Sequence, residues 1–189
     1  MPTPYKRHKR KWLDCHRCEL SERRNRVVLL RGTIPADVLF IGEAPGASED
    51  VLGKPFVGPA GLLLDEIIED SKTISEIDYS FALTNLIGCI PRGEDNRKVA
   101  EPSPKCIKAC TDRLNEVLEF TKPKIVIAVG RLADKYVGIK LAAYIIDGYI
   151  RYAKIVHPAA ILRMDLSQRG LALQRATVTI ADIVSEYDL

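Results

Sequence analysis

No uninterrupted apolar run in these 189 residues approaches the roughly 20 residues that a membrane helix needs, and that excludes a helical membrane protein. The opening residues, Met1-Pro2-Thr3-Pro4-Tyr5, lack the apolar core of a secretory signal. Net charge is scant. Lys and Arg number 28 against 25 Asp and Glu, leaving +3, so attraction for a polyanion has to come from local clustering rather than from bulk charge. Internal repeats and low-complexity tracts are missing, which excludes a solenoid or a largely disordered chain. Cysteines number five. An odd count without a secretory signal excludes a disulfide framework and points to a reducing cytoplasm, where metal ligation or redox chemistry are the remaining uses for clustered thiols.

What is present suits one globular domain. Hydrophobic residues make up 47% and charged residues 28% of the chain, ordinary values for such a protein, and the length is too short for two comfortable domains. Lys6-Arg7-His8-Lys9-Arg10-Lys11 is basic without a break. Residues 1–11 are therefore expected to form a solvated basic arm ahead of a single domain over 12–189. A cysteine-bearing helix or turn is expected around 12–24. Apolar runs at 37–41, 80–86, 124–130 and 149–156 read as strands. Helices expected over 60–70, 103–120, from Arg131 onward and over 170–187 alternate with them. In the second of these helices Lys105, Lys108, Asp112, Arg113 and Glu116 supply a wet face. Strands alternating with helices make a parallel sheet covered on both faces. The expected fold class is α/β, a three-layer α/β/α sandwich around a mainly parallel four-stranded sheet.

The most informative stretch is residues 42–64, GEAPGASEDVLGKPFVGPAGLLL. It follows the buried-strand run Val38-Leu39-Phe40-Ile41, and Gly42 and Gly46 bracket Glu43 and Pro45, so the chain leaves the strand in a tight turn that lifts one carboxylate off its end. Ligands of open α/β sheets sit at such carboxyl ends. A second glycine-rich turn, Gly53 to Gly61, holds Phe56 where backbone can approach closely. An aromatic ring pinned between glycines and facing a carboxylate suits a pocket for a flat ring. On spacing alone the stretch equally fits a glycine-rich strand-to-helix connection with one solvated glutamate.

Cys15-His16-Arg17-Cys18 sets two thiolates at chelating distance, Cys89 follows in mid-chain, and Cys106 and Cys110 sit i and i+4 on one expected helix. Thiolates from separate segments can hold a tetrahedral zinc or a [4Fe–4S] cluster, and the residues alone do not choose.

The glycine-rich segment, followed by Asp65-Glu66-Ile67, closely resembles the first active-site segment of the family 4, iron–sulfur uracil-DNA glycosylases. Cys15-His16-Arg17-Cys18, Thr84-Asn85-Leu86-Ile87-Gly88-Cys89-Ile90-Pro91, Asn96-Arg97 and His157-Pro158-Ala159 follow in the family's order. The likeness runs from about Cys15 to about Arg163. It implies a monofunctional DNA-repair enzyme that flips deoxyuridine out of DNA and hydrolyses its glycosidic bond. It also implies uracil-containing DNA as the partner, no membrane, a monomer, and a cytoplasmic, nucleoid-associated place of work. The implied cofactor is a [4Fe–4S] cluster on Cys15, Cys18, Cys89 and a fourth cysteine. Cys110 lines up better with the family's helix, in Ala109-Cys110-Thr111-Asp112-Arg113-Leu114, while Cys106 has the more usual spacing and is its rival. A structural cluster is expected, since base hydrolysis needs no electron.

Cutting a base from deoxyribose asks for a stacking face, groups that read the uracil edge and hold its anion, and a group that positions water. Phe56 is expected to supply the face, and Gly42 to take part with it in binding the substrate. The amide of Asn85 offers the donor and acceptor that match uracil O4 and N3–H and reject cytosine. The resemblance places His157 on uracil O2, where a neutral imidazole would steady the leaving anion. Glu43 is expected to orient water, with Glu49 as support or substitute. The better-known uracil glycosylases carry an aspartate at the position of Ala44, so the family assigns this work less cleanly here. Gly46 stands where relatives place a bulky residue, leaving thymine exclusion to other walls. Pro158 to Arg163 resembles the intercalation loop, with Leu162 as the wedge and Arg163 on a phosphate. A catalytically inactive DNA- or partner-binding descendant of the fold is the alternative. A related branch that traps the abasic sugar through a histidine is disfavoured, because Arg92 to Ala100 contains none.

Overall fold

The computed structural model describes residues 3–93, 99–146 and 150–187, with 142–146 as backbone alone. The chain runs α1 (Pro4–Trp12), a 3₁₀ turn (Glu19–Glu22), β1 (Arg31–Gly32), β2 (Val38–Gly42), α2 (Ala47–Leu52) and α3 (Pro59–Ser75). It continues through β3 (Phe81–Asn85), α4 (Pro104–Thr121), β4 (Ile125–Val129), α5 (Arg131–Ile146), β5 (Arg151–Ile155), α6 (Pro158–Ile161) and α7 (Leu166–Ser185).

Side-chain alternation in the strands sorts the helices into layers. Leu39 and Ile41 point into one core with Ala82, Val126 and Ala128, closed by Trp12 of α1, the α4 residues Cys106, Cys110, Leu114 and Val117, and Leu132 and Val137 of α5. Val38 and Phe40 point into the other with Ile125 and Ile127, closed by Leu64, Ile67 and Ile68 of α3 and Ile180 and Val184 of α7. Because successive residues of a strand face opposite sides, β2 and β4 are apolar throughout and the sandwich has three layers.

Strand order is β1-β3-β2-β4-β5, with β3, β2, β4 and β5 mutually parallel. The sheet therefore has five strands rather than the expected four. The added one, β1, is a two-residue antiparallel edge pairing Arg31 with Leu83 and Gly32 with Ala82, too short to leave a hydrophobic pattern. Helix α2 was likewise unexpected in what reads as loop.

The basic run at 6–11 is not a solvated tail. It lies in α1, which buries His8 and Trp12 against α4. Glu116 of α4 accepts hydrogen bonds from His8 Nδ1 and Trp12 Nε1, each at 2.8 Å, and pairs with Lys11. Glu116 and Arg113 thus leave the wet face assigned to that helix: Glu116 faces α1 and Arg113 is wholly buried. Of the expected motif residues, Asn96 and Arg97 lie outside the described residues, as does Tyr149 at the start of the last strand.

Candidate active site and cysteine centre

The chain passes from β2 to β3 on one side and from β4 to β5 on the other, so the loops after the neighbouring strands β2 and β4 diverge at their carboxyl ends. Such a topological switch leaves a crevice. A cavity of about 440 Å³ occupies it, lined by Glu43, Glu49, Phe56, Asn85, His157 and Arg163 together with Glu101 and Arg131. Gly42 and Asn85 are register partners at the ends of β2 and β3. A Cβ on Gly42 would collide with Asn85 Oδ1 and lie 2.5 Å from Phe56 Cζ. Only a glycine lets the ring and the amide close on this strand end.

Phe56 carries the cost of that placement in its backbone. Its φ is 54°, a left-handed conformation that a non-glycine residue adopts only when its surroundings hold it there. Two groups do so. Arg31 donates to Pro55 O at 3.1 Å and Phe56 O at 3.0 Å while forming a two-pronged pair with Asp65. Glu49 accepts from the backbone N–H of Val57 at 3.0 Å and Gly58 at 2.8 Å through one oxygen, and from Gly46 at 3.1 Å through the other. Glu49 is thus a clasp between the two glycine-rich turns. The ring of Phe56 lies near parallel to His157, with centroids 6.4 Å apart and planes at 27°.

His157 follows β5 and caps α6, its Nδ1 accepting the Ala159 N–H at 3.1 Å. A neutral imidazole that accepts at Nδ1 carries its proton on Nε2. Burial lowers the pKa of His157, and the nearby Arg163 charge lowers it further against the opposing pull of Glu49. The ring is therefore a neutral Nε2–H donor. Glu43 differs from Glu49: its carboxylate makes no hydrogen bond among the described residues. Burial raises its pKa, as does Glu101, while Arg131 draws it down. Asn85 is buried at 3% exposure, and its side-chain amide has no hydrogen-bond partner among the described residues. Leu162 ends α6 half-buried and does not line the cavity; Arg169 of α7 braces that turn by donating to Ile161 O and Leu162 O. Arg163 is exposed at the cavity rim.

All five cysteines are reduced and gather in the core that α1 and α4 cover. Burial pushes the Cys89 thiol up to about 12, Arg24 opposes that, and Cys110, Cys18 and Cys15 add to it as neighbouring thiols. Cys106 is one turn before Cys110. Its Sγ lies 3.1 Å from Glu19 Oε1 and within 4.8 Å of Cys18 Sγ. The structure thus brings three separate segments to one thiol-rich site, a donor set suited to a sulfur-bound metal centre.

The sequence profile of the uracil DNA glycosylase superfamily matches residues 31–178. A type-4 uracil-DNA glycosylase of Archaeoglobus fulgidus is 31% identical over 168 residues, covering 81% of this chain and 80% of that protein. The type-4 enzyme of Pyrobaculum aerophilum is 32% identical over 165 residues, 79% of this chain and 80% of its own. That of Saccharolobus solfataricus is 39% identical over 127 residues, 67% of this chain and 56% of its own. The chain belongs to the uracil DNA glycosylase superfamily, in its type-4 branch.

Within this glycosylase fold, Glu43, Glu49, Phe56, Asn85, His157 and Arg163 line one cavity. Sequence reasoning missed Glu101 and Arg131, which pair at 3.4 Å across the mouth. Arg131 had a signal: strand, glycine, charged residue at 125–131 repeats the form of 38–43. It also missed Arg31 and Asp50. The buried Asp50 accepts from the backbone and side chain of Asn25 at 2.9 and 2.7 Å and pairs with Arg92 at 3.1 Å, tying the segment after the 3₁₀ turn to α2.

Proposed function

We propose that this chain excises uracil from DNA by hydrolysing the N-glycosidic bond of a flipped deoxyuridine held in the Phe56–Asn85–His157 cavity, leaving an abasic site. The observation that carries this reading is the setting of His157: a half-buried ring, its Nδ1 already accepting an amide and its Nε2–H left to donate. Uracil stacks on Phe56. Its N3–H and O4 meet the unpartnered amide of Asn85. As the bond to the sugar breaks, electrons move onto the base, and Nε2–H of His157 donates to O2 where that charge collects.

Glu43 positions the attacking water and offsets positive charge on the sugar, since its carboxylate faces the cavity uncommitted. Glu49, whose oxygens already accept three backbone N–H groups, acts through the loop geometry. Leu162 fills the gap left by the flipped nucleotide, and Arg163 holds a phosphate.

Cys15, Cys18, Cys89 and Cys110 would hold a [4Fe–4S] cluster. Cys110, Cys18 and Cys15 all act on Cys89 as neighbouring thiols, which supports this set, while the close grouping of Cys106 with Cys18 and Glu19 keeps Cys106 as the rival fourth ligand. The cluster supplies a cross-link among distant segments, so its binding free energy adds to folding; no step of the hydrolysis transfers an electron. The enzyme works as a monomer on nucleoid DNA.

Matched U:A, U:G and single-stranded uracil oligonucleotides test the reading. Purified protein should leave alkali-labile sites at uracil and none at thymine or cytosine. Binding of the same DNA without strand scission after alkali would support the inactive descendant instead.

A further inference from the structure

Arg113 is an arginine where none is called for by charge. It is 1% exposed, and no carboxylate lies within ion-pair distance of it among the described residues. Its guanidinium instead donates to Thr84 Oγ1 at 3.1 Å, to Leu86 O at 3.2 Å and to Asn85 O. The reason lies in the sheet. Strand β1 accompanies β3 only as far as Leu83, so the carbonyls that follow need another donor if they are to stay buried. Thr84 is itself spoken for, donating to Leu29 O at 2.7 Å. Burying a guanidinium is costly and its Nε is left without a partner. A neutral residue of similar volume would pack here at lower cost, but it could not grip two successive carbonyls.

We infer that Arg113 is a positioning residue for base recognition, holding the backbone of Asn85 and Leu86 so that the Asn85 amide meets the base edge at a fixed angle. The inference rests on Asn85 as the group that reads uracil. The other side of the same strand end is held by β2: Leu86 N–H donates to Gly42 O at 2.8 Å and Ile87 N–H to Glu43 O at 3.4 Å. Asn85 is thereby clamped between the glutamate turn and α4. Cys110 lies three residues before Arg113 on that helix, so the cysteine centre and the reading amide share one rigid element.

A double-mutant cycle on single-turnover uracil excision decides the matter. Arg113→Met keeps most of the side-chain length and removes the fork. It should fold, because it also removes a buried charge, yet lose on the order of 10- to 100-fold in rate, the scale of an ångström-level misplacement. Combined with Asn85→Ala it should lose no more than Asn85→Ala alone, since both changes remove the same placed amide. Losses that multiply, or a wild-type rate in Arg113→Met, overturn the inference. A merely structural arginine would lower thermal stability without this non-additivity. If Arg113→Met fails to fold, the same cycle with Arg113→Lys, which retains the cation but not the fork, is read by the same two outcomes. Wild-type protein run alongside separates the failures. If it leaves uracil in place, the activity and the inference fall together; if it is active and the losses multiply, only the inference falls.

Discussion

Glu43, in the turn after β2, and Glu49, in α2, have different chemistry because Glu49 is committed to backbone and Glu43 is not. Glu43→Gln should keep the fold and lose single-turnover rate. Glu49→Gln should lose thermal stability as well as rate, because an amide cannot accept from Gly46, Val57 and Gly58 as a carboxylate does. A Glu49→Gln protein that loses rate with unchanged stability would move water positioning to Glu49. The pH profile separates them further. Burial and Glu101 raise the Glu43 pKa above its ordinary 4.5, so the acid limb of kcat/KM should fall above pH 4.5 and vanish from whatever activity Glu43→Gln retains. His157→Ala should cost about a hundredfold or more in the chemical step, the usual worth of a donor placed on a developing anion. The sign of the linkage at His157 is the reverse of a histidine gaining an acidic partner. Its folded pKa lies below 6.5, so the unfolded chain takes up the proton first. Stability from this ring is complete above 6.5 and is lost as pH falls from there through the folded value.

At the scale of an element, the junction of α1 with α4 turns a basic run into part of the fold. Burial by itself would raise the Glu116 pKa, but hydrogen bonds from Lys11, Trp12 and His8 outweigh it and hold it at about 2. The contribution of this latch is therefore full above pH 4.5 and is lost as pH falls through about 2. Glu116→Ala should abolish that acid dependence and lower the denaturant midpoint at neutral pH, with the near-UV signal of Trp12 changing in step. Trp12→Ala, which empties a site buried to 1% exposure, should cost about 3–5 kcal/mol. An unchanged midpoint in both variants would return α1 to the role of a dispensable arm. The carboxyl ends of β2 and β4 show the complementary design. At each, a glycine ends or follows the strand and a charged residue comes next, and both charges reach one cavity.

At the scale of the whole molecule, the cysteine centre joins the segment after α1, the loop after β3 and helix α4. Anaerobically purified protein should be brown, with about four irons per chain for a [4Fe–4S] centre. Stoichiometric zinc without absorbance near 400 nm would replace iron by zinc in the same thiol set. Cys110→Ala should lose the metal and much of the stability, whereas Cys106→Ala should be mild; the reverse would make Cys106 the fourth ligand. Chelation should lower the thermal midpoint of the entire domain rather than of one segment, because three distant stretches are tied at once.

The layered α/β fold and the identity of the cavity residues were legible in the order of the residues. Buried parallel strands must be apolar on both faces, and that pattern survives without any knowledge of partners. The glycine-rich turns at 42–61 were equally readable, since a close approach admits only glycine. Tertiary structure decided what no local pattern encodes. Strand β1 is two residues long and owes its existence to the edge of β3. Arg113 and Glu116 read as solvent-facing by helical period, and only the arrival of a strand end and of α1 made one buried and the other a latch. The separate duties of Glu43 and Glu49 depended on which carboxylate the second turn folded back to meet. Periodicity records which side of an element is apolar, but the partner of a polar group is chosen by whichever distant backbone is left with unpaired donors and acceptors.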